Sequence, residues 1–183
     1  DNHLDYIFSK FRDYDVFLHT YSYNDSFDQK LLNALKPKKY IIEKQKHKAI
    51  AHSIIESSKL VDTQYDFIFN LRYDTLFLKE ISELKIDYDL FNFAFKDRAA
   101  WGPRKCTSDL FYGFRGDFLD DFICASKDTY PKCPVGSLHL LYNQLEPLVG
   151  DKNINFMIDG EMSSYNDVDQ VGEQDYFVIN RKI

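Results

Sequence analysis

Arg72 and Asp74 close an apolar run that begins Phe67-Ile68-Phe69 and leads to Leu71. The aromatic and β-branched enrichment of that run reads as a buried strand. A guanidinium and a carboxylate at the end of a buried strand are costly unless they are paired or used. In open α/β sheets, ligands bind just outside the carboxyl ends of strands. The pair therefore suits a ligand carrying anionic groups, a bound cation, or both. Arg72 has the fork geometry that matches phosphate oxygens. Asp74 has the hard oxygens that a cation such as Mg²⁺ or Mn²⁺ takes together with diphosphate oxygens. The competing assignment is an Arg72–Asp74 ion pair that merely fixes a strand end.

Other residues offer weaker chemistry. Asp109 precedes Leu110-Phe111-Tyr112-Gly113 after a long polar loop, a place suited to general-base work or to holding a sugar hydroxyl. It would serve equally as a turn carboxylate. Trp101, the single tryptophan, suits stacking on a sugar face or anchoring its loop, and Tyr73 between Arg72 and Asp74 is a second substrate-contact candidate. The acid pairs Asp13/Asp15, Asp87/Asp89 and Asp167/Asp169 resemble cation-binding Asp-x-Asp steps but read better as turns and caps in an acid-rich chain. His19 and His139 lack a second His or Cys at ligand spacing. His3, His47 and His52 carry no local signal. The glycine signatures of P-loop, dinucleotide-binding and serine-hydrolase folds are missing from the sequence.

The elements that must position these groups follow from the apolar pattern. Asn2 is placed as the N-cap of a helix through Phe11. Strands are expected at Asp15–Thr20, Lys39–Glu43, Tyr65–Leu71, Leu76–Leu78, Asp89–Phe95, Leu110–Phe114, Ile154–Ile158 and Tyr176–Ile179. Helices are expected at Leu31–Leu35, stopped before Pro37, at about Lys46–Val61, and at Asp117 to about Ala125. A last helix begins at Leu138, is capped by Ser137, buries Leu138, Leu141 and Leu145, and stops at Pro147. Tyr21–Gln29, Asp97–Ser108 and Ser163–Gln174 read as loops. Strands alternating with helices predict a layered α/β/α domain with a mostly parallel central sheet. With 183 residues and no linker or repeat, one domain over residues 1–183 is expected.

Composition narrows the function classes. A hydrophobic fraction of 44% with 28% charged residues is that of a globular chain. A net charge of −6 argues against a general nucleic-acid binder, though not against a single nucleotide. No run approaches the roughly 18 apolar residues of a membrane span. Cys106, Cys124 and Cys133 are odd in number and lack Cys-x-x-Cys spacing, which suits a reducing compartment. The expected location is the cytoplasm of a bacterium or of a virus-infected host cell.

Four segments in order carry a family resemblance. They are Asp15-Val16-Phe17-Leu18-His19-Thr20, Lys36-Pro37-Lys38-Lys39-Tyr40, Arg72-Tyr73-Asp74-Thr75-Leu76-Phe77 and Asp109-Leu110-Phe111-Tyr112-Gly113. Together, across roughly Tyr14 to Leu148, they resemble bacterial and viral polysaccharide glycosyltransferases with the A-type, nucleotide-sugar-binding fold. The resemblance implies a nucleoside diphosphate sugar as donor and a glycan as acceptor. It implies a divalent cation, Mn²⁺ or Mg²⁺, held by Asp74, with Arg72 at the diphosphate and Asp109 facing the acceptor. Two departures stand out. The usual nucleotide-contacting first strand is not found ahead of Asp1, so the chain is expected to lack it or to be a piece of a longer one. The cation motif reads Arg-Tyr-Asp rather than Asp-x-Asp. Two rival functions remain: a non-catalytic carbohydrate- or nucleotide-binding module on the same scaffold, and a metal-dependent phosphohydrolase.

Overall fold

The structure, a computed structural model, describes residues 2–44, 50–62, 64–98, 101–132, 137–162 and 176–179. At its centre is a four-stranded sheet made of β3 (Phe67–Leu71), β7 (Phe111–Arg115), β5 (Phe91–Phe93) and β8 (Ile154–Phe156), in that spatial order. β7 runs antiparallel to both β3 and β5, and β5 and β8 are the one parallel pair of neighbours, so β7 alone opposes the direction shared by β3, β5 and β8. The mostly parallel sheet expected from the alternation of strands and helices is thus a mixed one. The reason lies in the connections. Among the described residues, the chain between β5 and β7 holds β6 (Lys96–Asp97) and the short helix α4 (Trp101–Arg104) alone. It carries no crossover helix of the length a parallel connection uses.

Side-chain alternation along the sheet builds two cores. Tyr112 and Phe114 of β7 point to one face with Phe91 and Phe93 of β5, and Phe111 points to the other. The first face is covered by α3 (Ile50–Ser58), α5 (Leu119–Thr129) and α6 (Leu141–Val149). The second is covered by the N-terminal helix α1 (Asn2–Tyr6) and by β4 (Thr75–Phe77) paired antiparallel with β9 (Phe177–Ile179). Across the four-stranded sheet the layers are therefore helices, mixed sheet, and a β-ribbon with one short helix, rather than helices on both sides. Full burial of the rings of Phe91, Phe93, Phe111, Phe114 and Phe122, each contributing about 1.5–3 kcal/mol, is how a modest sheet holds this many edges together.

A separate parallel pair, β1 (Phe17–Tyr21) and β2 (Lys39–Glu43), is joined by α2 (Asp25–Leu35). That helix is longer than its apolar residues suggest. Asn24 caps it by accepting the Phe27 N–H at 2.8 Å, and Asp25 and Asp28 favour its first turn. It ends at Lys36 in the left-handed region (φ 46°), directly before Pro37.

Two other expectations change. Asn2 does not cap the first helix: its side-chain amide makes both hydrogen bonds, 2.7 Å each, with the backbone of Phe77 and so ties α1 to β4. Pro147 does not stop α6 but lies inside it, and Ser137 is not its cap. A proline in the last turn removes only one hydrogen bond. The helix ends instead at Gly150 (φ 82°), whose N–H reaches the Glu146 carbonyl. The expected helix start at Lys46 and the loop Ser163–Gln174, with its Asp167/Asp169 pair, lie outside the described residues, as do His47 and Cys133.

Candidate functional site

Antiparallel pairing decides the geometry around Arg72. Leu71 at the end of β3 pairs with Phe111 at the start of β7. One step further, the Arg72 N–H bonds the Leu110 carbonyl at 2.9 Å. The end of one strand and the residue preceding the other therefore meet at one edge of the sheet. In a parallel pair they would lie at opposite edges. This register carries Asp109 to Arg72.

Arg72 is held from two sides. Its Nε and Nη2 donate to the two oxygens of Asp74 at 3.0 and 2.6 Å, a bidentate pair. Its Nη1 donates to Asp109 Oδ1 at 3.0 Å. The Asp109 side chain is 2% exposed, that of Arg72 14% and that of Asp74 32%. The charges thus grade from a buried carboxylate, through the guanidinium, to a carboxylate open to solvent. Burial acts to lower the Arg72 pKa, but the bonds and charges of Asp74 and Asp109 outweigh it and hold the group above its ordinary value. Arg72 is therefore a permanent cation here.

His139 and His3 join this region, neither signalled by local sequence spacing. His139 exchanges two bonds with Thr107: its Nδ1 donates to the Thr107 carbonyl, and the Thr107 N–H donates to the His139 carbonyl, both at 2.8 Å. That leaves its Nε2 3.8 Å from Asp109 Oδ1, within ion-pair range but too long for a hydrogen bond. His3 Nε2 donates to the Thr75 carbonyl at 2.6 Å. Burial pushes the His3 pKa down, opposed by that carbonyl and by the Asp74 charge. Among the described residues, Asp109 Oδ2 and the hydroxyls of Thr75 and Thr107 are buried with no hydrogen-bond partner. Such atoms are rare in folded proteins and gather where a ligand or water completes the set.

The remaining sequence candidates spread out. Tyr73 is 48% exposed, with its ring at an edge-on angle to His3. Trp101 packs edge-on against Tyr142 and Phe156, with the ammonium groups of Lys96 and Lys105 over its face. It therefore works as an anchor for the α4 segment. Asp15 pairs with Lys38 and Tyr65. The Asp87 backbone is bound through Asn92, and its carboxylate accepts the Asp89 N–H. The Asp87 set fixes its turn as expected, whereas Asp15 ties the start of β1 to Lys38 and Tyr65, far along the chain, instead of fixing a local turn. An open cleft lined by Tyr65, Asp66, Tyr88 and Arg115 lies at the other end of β3, away from Arg72. Of the cysteines described, Cys106 is buried and Cys124 exposed, both unbridged.

A second cluster was not visible in the sequence. His19 on β1, Glu43 at the end of β2 and His52 on α3 bring their ligand atoms within 4.8 Å of one another, a set that could hold a metal ion. In the β1–β2 register His19 lies opposite Ile41 and Tyr21 opposite Glu43. The two-residue period therefore puts His19 and Glu43 on one face. α3, packed on β1, supplies His52 over that face. The signal was split between three elements with no shared spacing.

Comparison with protein-family models, with curated proteins and with solved structures gives no match for this chain. Among the described residues, no helix is long and apolar enough to cross a membrane.

Proposed function

We propose that this chain belongs to the transferases that use a diphosphate-activated donor. More particularly, it acts as a glycosyltransferase, moving a sugar from a nucleoside diphosphate sugar to a hydroxyl of a glycan. The observation that carries this reading is the clamped Arg72: a permanent cation at a strand end, with one carboxylate partner buried and the other open to solvent. In the reaction the acceptor oxygen bonds to the anomeric carbon and the bond from that carbon to the diphosphate breaks. Negative charge develops on the departing diphosphate. A cation that is already positioned stabilises that charge at no cost in reorganisation.

The ordered resemblance of the four sequence segments adds the donor class. Asp74 fits a divalent cation as a single carboxylate. Its oxygens face Arg72, yet each keeps further lone-pair capacity, and its side chain is one-third exposed. A Mn²⁺ or Mg²⁺ ion there would take its other oxygens from the diphosphate and water, and would supply additional charge neutralisation. Asp109 holds Arg72 through Oδ1, and its spare Oδ2 is the atom that would accept the proton of the acceptor hydroxyl. The burial of Asp109 favours a second reading, a nucleotide- or carbohydrate-binding module in which that carboxylate only positions Arg72.

Thermal-shift measurements against nucleoside diphosphates and their sugars, with and without Mn²⁺, test the donor site. Stabilisation by the nucleotide, lost in Asp74→Ala, is the expected result. Retained stabilisation in that variant overturns the role of Asp74. Release of nucleoside diphosphate from a nucleotide sugar separates the enzyme from the module, and phosphate-ester cleavage without sugar preference points to a phosphohydrolase.

A further inference from the structure

The second cluster differs from the first in its donor atoms. His19 Nε2 and His52 Nε2 each stand 3.1 Å from the same oxygen, Glu43 Oε1. Two imidazole nitrogens and one carboxylate oxygen are the ligand types of zinc rather than of Mg²⁺ or Mn²⁺, which prefer all-oxygen shells. The two His–Glu43 separations agree: ligands about 2.0–2.1 Å from a tetrahedral zinc lie about 3.3 Å apart, and all three ligand atoms lie within 4.8 Å of one another. As hydrogen bonds, the two 3.1 Å contacts are long for an ionised carboxylate, where about 2.7–2.9 Å is usual.

Burial strengthens the case. The His19 side chain is fully buried, while those of Glu43 and His52 are 26% and 24% exposed. Among the described residues the buried Nδ1 of His19 has no hydrogen-bond partner. A metal on His19 Nε2 would place the ring's proton on this Nδ1. The partly exposed side leaves a fourth position open to water or to an oxygen of a bound molecule. Three elements converge on one point: the middle of β1, the end of β2 and the start of α3.

We propose that His19, Glu43 and His52 form a zinc site that pins β2 and α3 onto β1. The site stands apart from the Arg72–Asp74 reading, because none of its residues touches that pair in the hydrogen bonds or ion pairs above. The test uses the full chain in a Cys124→Ser background, which removes the exposed thiol as a competing ligand. After chelator treatment, zinc is added against a chromophoric competitor. One equivalent is expected to bind, with a rise in Tm. Co²⁺ in its place is expected to give the intense visible absorption of a four-coordinate ion. His52→Ala and Glu43→Gln, both at partly exposed positions, should fold by circular dichroism and bind zinc at least about a hundredfold more weakly. Asp74→Ala should bind it unchanged. Binding well below one equivalent, or affinity untouched in both His52→Ala and Glu43→Gln, overturns the site. Loss of zinc in Asp74→Ala would move it elsewhere and overturn it equally.

Discussion

The two charged clusters are built in opposite senses. Around Arg72 a cation sits between two carboxylates. Around Glu43 a carboxylate sits between two imidazoles. The first sets two carboxylates against one guanidinium, so an anion reaches Arg72 only by displacing a carboxylate or together with a bound cation. The second is a set of electron-pair donors with no fixed cation, suited to a metal. They also differ in the fold that makes them. The Arg72 cluster depends on one antiparallel register between β3 and β7. The His19 cluster depends on a parallel strand pair and on a helix laid over it. A buried ion pair and a set of residues that could hold a metal thus occur in one α/β chain without sharing a residue.

The largest expected effect tests the first cluster. Arg72→Ala strands Asp109 as a buried carboxylate beside a distant His139, and the loss should be about 3–5 kcal/mol in urea denaturation. Arg72→Ala combined with Asp109→Ala should cost less than the sum of the two single changes, since neither charge is then left alone. An additive result would show that the pair does not act as a unit. Next comes Gly113→Ala. A Cβ there would stand 2.9 Å from Phe67 Cζ and 3.1 Å from Phe69 Cδ2, forcing both rings to shift across the β3–β7 pair at a cost of about 1–3 kcal/mol. It should weaken nucleotide stabilisation while leaving zinc affinity intact, and equal damage to both would erase the contrast between the clusters.

A smaller effect is expected for Asp74→Asn. Arg72 keeps Asp109, and Asp74 is partly solvated, so stability should fall by only about 1 kcal/mol while nucleotide binding is lost. The smallest effect concerns Asp15, an exposed carboxylate that gives a baseline for both clusters. Hydrogen bonds from Lys38 first and Tyr65 second hold its pKa below the ordinary value. A depressed carboxylate contributes stability above its unfolded pKa and loses it as pH falls through the folded one. Asp15→Asn should therefore lower Tm slightly at neutral pH, with the gap to the parent closing in acid below the usual carboxylate range. A gap that widens on acidification would reverse the sign assigned to this pair.

Much of the local structure was legible in the residues. The run Phe67-Ile68-Phe69 lies within β3, and Lys39–Glu43 is β2 to the residue. Leu138, Leu141 and Leu145 are all buried as their spacing implied. The proximity of Arg72 and Asp74 needed only two residues of chain. Sheet direction was not legible, because buried strands read alike whether their neighbours run parallel or antiparallel. The one sign was the loop Asp97–Ser108, too poor in helix for a parallel crossover between β5 and β7, and the strand–helix alternation elsewhere masked it.

By itself, then, the sequence determined where most of the strands and the apolar stripes of the longer helices lie, and that Arg72 and Asp74 would stand together at a strand end, but not the full extent of α2 or the short helix α4. What it did determine follows from propensity, periodicity and short spacing. Only the tertiary structure decided that Asp109 meets Arg72 and that His19, Glu43 and His52 meet one another. Both meetings depend on strand register and helix placement, which are set by packing between residues far apart in the chain and leave no spacing to read.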